Sequence, residues 1–128
     1  MKQIPAETDQ IARVCVDSAL KVHRALGPGL LEQVYERCLV YELEKRRIDC
    51  VRQFTVPIFY DGINLDSDLR IDILVANQVV IEIKAVEAII PVHRAQLLTY
   101  LKLTGYRLGL LINFNVPVIK DGIHRIAL

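Results

Sequence analysis

An α/β fold built on a mixed sheet is predicted by three features of this 128-residue sequence. Two stretches of helical periodicity open the chain. A run of β-branched and aromatic residues, broken by two turn signals, fills its middle. A third helical stretch then leads into a strand with no polar alternation.

The first helix is expected over about residues 8 to 26, where Ile11, Val14, Cys15, Val22 and Leu26 recur near helical spacing and Asp9, Arg13, Asp17, Lys21 and Arg24 take the other faces. Gly27-Pro28-Gly29 stops it. Leu31, Val34, Tyr35, Cys38, Leu39 and Leu43 then repeat at three and four residues up to about Arg47, a second helix. Val51 to Tyr60 reads as a strand, and Asp61-Gly62 is a hairpin signal turning it into a second strand, Ile63 to Val75. Ala76-Asn77-Gln78 folds a third strand, Val79 to Ala85, back on the second, which makes a meander. Pro91 suits the first turn of a helix running to about Thr104, with Leu97, Leu98 and Leu101 inward and Gly105 ending it. Leu108-Gly109-Leu110-Leu111-Ile112 is expected to be a central strand covered on both faces. Asp121-Gly122 predicts a last hairpin at the sheet edge.

The composition fits one domain spanning residues 1–128: 52% of residues are hydrophobic, 24% charged, and 16 Lys and Arg meet 15 Asp and Glu for a net charge of +1. That balance excludes a disordered chain. No apolar run exceeds four residues, against the roughly 18 that a membrane span needs, so no membrane association is expected. The amino terminus has no apolar stretch after Lys2 and does not read as a secretory signal, so a cytoplasmic location is expected. Cys15, Cys38 and Cys50 are odd in number and widely spaced, and are read as small buried hydrophobes. The near-neutral charge also weighs against nucleic-acid binding through phosphates alone.

Charges inside the meander strands are the sharpest anomaly. Alternation puts Arg70 and Asp72 on one face of the second strand, with Leu69, Ile71, Ile73 and Val75 on the other. In the third strand Glu82 and Lys84 share a face opposed by Ile81 and Ile83. A three-residue turn at 76–78 sets Asp72 opposite Glu82, where like charges repel and a divalent cation would convert repulsion into coordination. The bland alternative pairs Asp72 with Arg70 or Lys84, and Glu82 with Lys84, as solvated surface ions. On the second helix Glu32 and Tyr35 stand one turn apart and are expected to project together, although an acid three residues after an N-capping Gly29 also suits the helix dipole. His93, Gln96, Tyr100 and Thr104 form one polar stripe on the third helix.

These residues resemble the PD-(D/E)XK nuclease superfamily, which has a restriction-endonuclease-like core. Asp72 followed by Glu82-Ile83-Lys84 is similar to its Asp and Glu-x-Lys signature, with Ile71 where the name has Pro. Gln96-Leu97-Leu98-Thr99-Tyr100 resembles the Gln-x-x-x-Tyr motif of recombination helicase-nucleases. Gly29, Glu32 and Tyr35 resemble the opening of the small GxxExxY proteins. The resemblance implies that Glu32, Asp72, Glu82 and the Ile83 carbonyl hold Mg2+, with Mn2+ as a substitute. It also implies that Lys84 orients the attacking water and stabilises the transition state, and that Gln96 and Tyr100 contact that water or a substrate phosphate. His93 is a looser member of the set.

The implied activity is magnesium-dependent phosphodiester hydrolysis in DNA or RNA. The alternative is a binding module that keeps the nuclease fold, and a small-molecule phosphoesterase would need a closed pocket. A homodimer and a partner protein are both compatible with a chain of this size. Lys45, Arg46, Arg47, Arg52, Lys102, Arg107, Lys120 and Arg125 are read as solvated charges. Glu32, Asp72, Glu82, Lys84 and Gln96 are expected to converge on one cleft, and Asp72 and Glu82 to raise each other's pKa.

Overall fold

The computed structural model describes residues 3–128. Its elements are α1 (Ala6–Leu26), α2 (Glu32–Lys45), β1 (Cys50–Tyr60), β2 (Ile63–Val75), β3 (Val79–Lys84), α3 (Pro91–Thr104), β4 (Leu108–Asn113), a 3-10 turn (Ile119–Gly122) and β5 (Ile123–Ala127). The five strands lie side by side in chain order. All neighbours are antiparallel except β3 and β4, which α3 connects as a parallel crossover. This is the mixed sheet flanked by helices that the periodicity predicts. Among the described residues no helix is long and apolar enough to cross a membrane.

Two cores lie on the two faces. On one, Ile11, Cys15, Val22, Leu39 and Leu43 of α1 and α2 meet Ile73, Val79, Ile81, Leu110 and Ile112. On the other, Leu97 and Leu101 of α3 meet Ile71, Leu74, Val80 and Leu111. Each such side chain contributes about 1.5–3 kcal/mol by leaving water. Gly109 lets α3 come close, because a Cβ there would stand 3.0 Å from Leu97. Cys15 belongs to the first core, where burial pushes its thiol up to about 12, and all three cysteines are free thiols.

Outside the site the structure departs from the expected pattern in four places. Leu26, Leu31 and Val34 are exposed rather than inward, at 40%, 76% and 38%. Leu98 is only half-buried. Asp121-Gly122 turns no hairpin: it lies in the 3-10 turn, and β5 pairs with β4 instead. There Gly122 sits so close to the Asn113 carbonyl that a Cβ would overlap it. Finally Ile71 and Ile73 do not share a face, since Ile71 packs under α3 and Ile73 under α1 and α2.

The last departure has a local cause. The β1–β2 ladder pairs Arg52 with Ile73 and Phe54 with Ile71, and it skips Gln53 and Asp72 between them. Gln53 has φ +52, in the left-handed region. Both strands therefore change face at the level of Asp72: Cys50 packs with the first core, Phe54 and Val56 with the second.

Candidate active site

The expected register of the second turn holds, with Val75 opposite Val79 across three residues, of which Ala76 and Asn77 are left-handed. The β2–β3 main-chain ladder runs from that pair to Ile73 and Ile81. One step further, at Asp72 and Glu82, side chains take over. The Asp72 N–H donates to Glu82 Oε1 at 3.2 Å, and the Ile83 N–H donates to Asp72 Oδ2 at 2.8 Å. Each acid thus satisfies a backbone donor of the strand opposite, and the open end of the sheet is lined with carboxylate.

Neither acid is a solvated surface charge, and neither forms an ion pair among the described residues. Glu82 is 7% exposed, and its pKa is pushed from 4.5 up to about 8, first by burial and then by Asp72. Asp72 is also raised, by burial above all, with Glu36 and Glu32 adding repulsion while the Ile83 N–H and Lys84 partly offset it. Desolvation leads for both; of the expected mutual repulsion, Asp72 raises Glu82, whereas the acids that repel Asp72 are Glu36 and Glu32.

A carboxylate raised in the folded state takes up a proton that the unfolded chain releases. The stabilisation from Glu82 is therefore complete below its ordinary value of 4.5 and is lost as the pH rises through about 8. In metal-free protein the urea midpoint should fall between about pH 5 and pH 8, by an amount worth a few kcal/mol. Glu82→Gln should flatten that slope. A midpoint that rises across the same window would refute the assignment.

α2 brings the other acids. Glu32, Gln33, Glu36, Arg37, Arg52, Gln53, Arg70, Asp72 and Ile83 line one pocket of about 380 Å³. Glu32 is exposed at the first position of α2, whose N-cap is Leu31 and not Gly29. Tyr35 does not project beside it. It is fully buried, stacked on Phe114 at 4.5 Å, and its hydroxyl donates to the Gly27 carbonyl at 2.6 Å and accepts from the Leu30 N–H at 3.1 Å. Tyr35 fixes the loop that delivers Glu32.

Sequence reasoning missed Glu36 and undervalued Arg52. The Arg52 guanidinium donates to Glu36 Oε2 through Nε at 3.0 Å and Nη2 at 2.7 Å, while Gln53 Nε2 donates to Oε1 at 2.6 Å. This fork holds the left-handed Gln53 away from the ladder, beside Asp72. The available signal was Glu36 one turn after Glu32 on the same helix face. Glu36→Ala should cost about 1–3 kcal/mol in chemical denaturation, because a half-buried Arg52 and an exposed Gln53 would exchange their acceptor for water; Glu36→Gln should cost clearly less. Equal losses would deny the charge a role.

α3 approaches from the opposite face of the sheet. Gln96 does not line the pocket, and neither do Glu82 and Lys84, so of the five residues expected to converge on one cleft only Glu32 and Asp72 meet there; Gln96 instead donates to the Tyr100 hydroxyl at 2.9 Å. Tyr100 is half-buried and its pKa is raised, by burial first, with Glu82 and Asp72 adding repulsion and the Gln96 hydrogen bond partly offsetting it. His93 serves the helix, with Nδ1 accepting the Ile90 N–H at 3.1 Å, and Thr104 Oγ1 donates back to the Tyr100 carbonyl. The predicted stripe is thus half structural. Lys84 is half-buried, and its side chain makes no hydrogen bond or ion pair among the described residues. Its carbonyl accepts the Phe114 N–H, and neighbouring Asn113 clamps Val86 through both main-chain groups.

For a hard cation the donor chemistry fits. Asp72 and Glu82 each spend one oxygen on an N–H, and no fully buried side-chain oxygen among the described residues lacks a partner, so their second oxygens keep access to solvent. The fold supplies two acids plus Glu32 on the pocket rim. Among the described residues no three His, Cys, Asp or Glu side chains are gathered tightly enough to hold an ion as they stand. The family model described as the PD-(D/E)XK nuclease superfamily matches residues 9–126. No curated protein and no solved structure matches.

Proposed function

The chain belongs to the PD-(D/E)XK nuclease superfamily, and from that premise we propose that it is a magnesium-dependent nuclease of the GxxExxY group, hydrolysing phosphodiester bonds in DNA or RNA. The superfamily points to nucleic acid as the partner and to a divalent cation as the general requirement. The observation that carries the reading is the carboxylate pair Asp72 and Glu82 at the open end of β2 and β3, with the unpaired Lys84 two residues on.

When bound, the cation lowers the pKa of a water and neutralises charge growing on the phosphate. Asp72, Glu82 and the Ile83 carbonyl would hold it, and Glu32, being exposed, would turn in from the rim. Lys84 shares the Glu82 strand and has no competing partner, so its ammonium is available to orient the water and to meet the developing charge. Tyr100, held by Gln96, would position the water or a neighbouring phosphate from the α3 side. Cytoplasmic residence and a single nuclease-like unit over residues 1–128 complete the proposal.

A binding module that keeps this fold is the second reading, favoured by the net charge of +1 and the loose placement of Glu32. The two part in one experiment: plasmid DNA and single-stranded DNA and RNA oligonucleotides incubated with Mg2+, Mn2+ or EDTA. The nuclease reading expects cleavage with either metal and none with EDTA. Lys84→Ala should lower the rate about 100- to 1,000-fold and leave Mn2+ affinity within a few-fold by calorimetry. Cleavage that Lys84→Ala leaves untouched, or no metal-dependent cleavage of any substrate, overturns it.

A further inference from the structure

The distal half of the β1–β2 hairpin leaves the body of the protein. β3 pairs with β2 only from Ile73 onward, and Ile63 to Asp68 are all exposed. Phe59, Tyr60, Ile63 and Leu65 stand 55%, 72%, 61% and 48% exposed on this ribbon. A two-stranded ribbon is marginal in water by itself, and clustered exposed apolar side chains mark a contact surface. The tip also carries Asp61, Asp66 and Asp68, with no Lys, Arg or His between Gln53 and Leu69. Three unopposed carboxylates make it a poor surface for a phosphate backbone. A basic, apolar protein surface suits it.

Such a surface lies on the same molecule. Between α1 and α2 a groove of about 290 Å³ is walled by Val22, Ala25, Leu26, Cys38 and Tyr41. Around it three cations crowd one carboxylate: Lys21, Lys45 and Arg46 all approach Glu42, at 3.1, 3.9 and 2.9 Å. Arg37 lines the groove as well. The groove has surplus positive charge and room for an aromatic ring; the tip has surplus negative charge and two exposed rings.

We propose that the Phe59–Leu65 hairpin tip docks in the α1–α2 groove of a second copy of this chain. Tip and groove are different patches, so two copies that exchange tips close a two-fold dimer with two identical contacts. Arg37 also lines the pocket of Asp72, so the docked tip would lie beside the candidate active site. The proposal does not depend on nuclease activity.

The test is sedimentation equilibrium of the full chain over a range of concentrations, with a tip variant (Phe59→Thr with Tyr60→Thr) and a groove variant (Tyr41→Glu). All substituted positions are exposed, and circular dichroism checks that each variant is folded. The proposal expects a wild-type dimer and at least about tenfold weaker self-association in each variant. It also expects an equimolar mixture of the two variants to recover a heterodimer, because one intact tip then meets one intact groove. A wild-type monomer at every concentration would overturn it, and would leave the tip to a different protein. A dimer indifferent to either variant, or a variant mixture that stays monomeric, would overturn it equally; a dimer lost in the tip variant alone would overturn it in favour of tip-to-tip contact.

Discussion

Asp72→Asn and Glu82→Gln should each abolish metal-dependent cleavage, with losses on the order of 1,000-fold or more, since the chemistry assigned to the cation is worth several kcal/mol at the transition state. Both amides keep an oxygen that can accept the N–H each acid now holds, from Ile83 and from Asp72 respectively. The fold should therefore survive, and metal-free protein near neutral pH should be as stable as wild type or more so, because a crowded buried acid has been replaced by a neutral group. Calorimetry with Mn2+, thermal unfolding with and without metal, and a cleavage assay separate these effects. A Glu82→Gln protein that still binds Mn2+ and still cleaves would remove the acid pair from the mechanism.

The largest stability effect should come from Tyr35. Truncating this fully buried, stacked ring to Ala should cost about 3–5 kcal/mol, as large aromatic deletions in cores do. Tyr35→Phe is the more informative variant. It keeps the stack on Phe114 and strips the Gly27 carbonyl and the Leu30 N–H of their shared partner, which should cost about 1–3 kcal/mol. If the loop between α1 and α2 delivers Glu32, Tyr35→Phe should also weaken Mn2+ binding in protein that remains folded. Unchanged metal affinity would restrict Tyr35 to the core.

Both variants show which parts of the site were legible in sequence. The turn at Ala76-Asn77-Gln78 and the alternation on each side of it were enough to bring Asp72 and Glu82 together, because a local hairpin leaves little freedom of register. The α/β architecture followed from periods of 3.6 and 2 that carried long, clean segments. The face of Ile71 was misread, since no pattern of apolar residues announces a left-handed Gln53 held by Glu36; that break is made by partners 17 residues apart. Tyr35 was misassigned for a related reason. Helical spacing puts it near Glu32, but packing against Phe114, far along the chain, decides which way it faces. Gln96 and Tyr100 were placed on the correct helix, yet spacing along a helix cannot say which face of the sheet that helix will cover.

The strand order has a consequence for how the molecule assembles. Because the five strands lie in chain order, β1–β2, β2–β3 and β4–β5 all join consecutive strands by short connections, and only the parallel β3–β4 pair waits for a helix to cross over. Local hairpins close in about 1–10 μs, whereas pairings of high sequence separation carry more loop-closure entropy and come later. Asp72 and Glu82, ten residues apart, belong to the early set. Glu32 and Tyr100 arrive with helices that dock on a sheet already begun. The acid pair is thus expected to meet before the side chains that would use it, while water still reaches both acids, with the desolvation of Glu82 following as β4 pairs with β3.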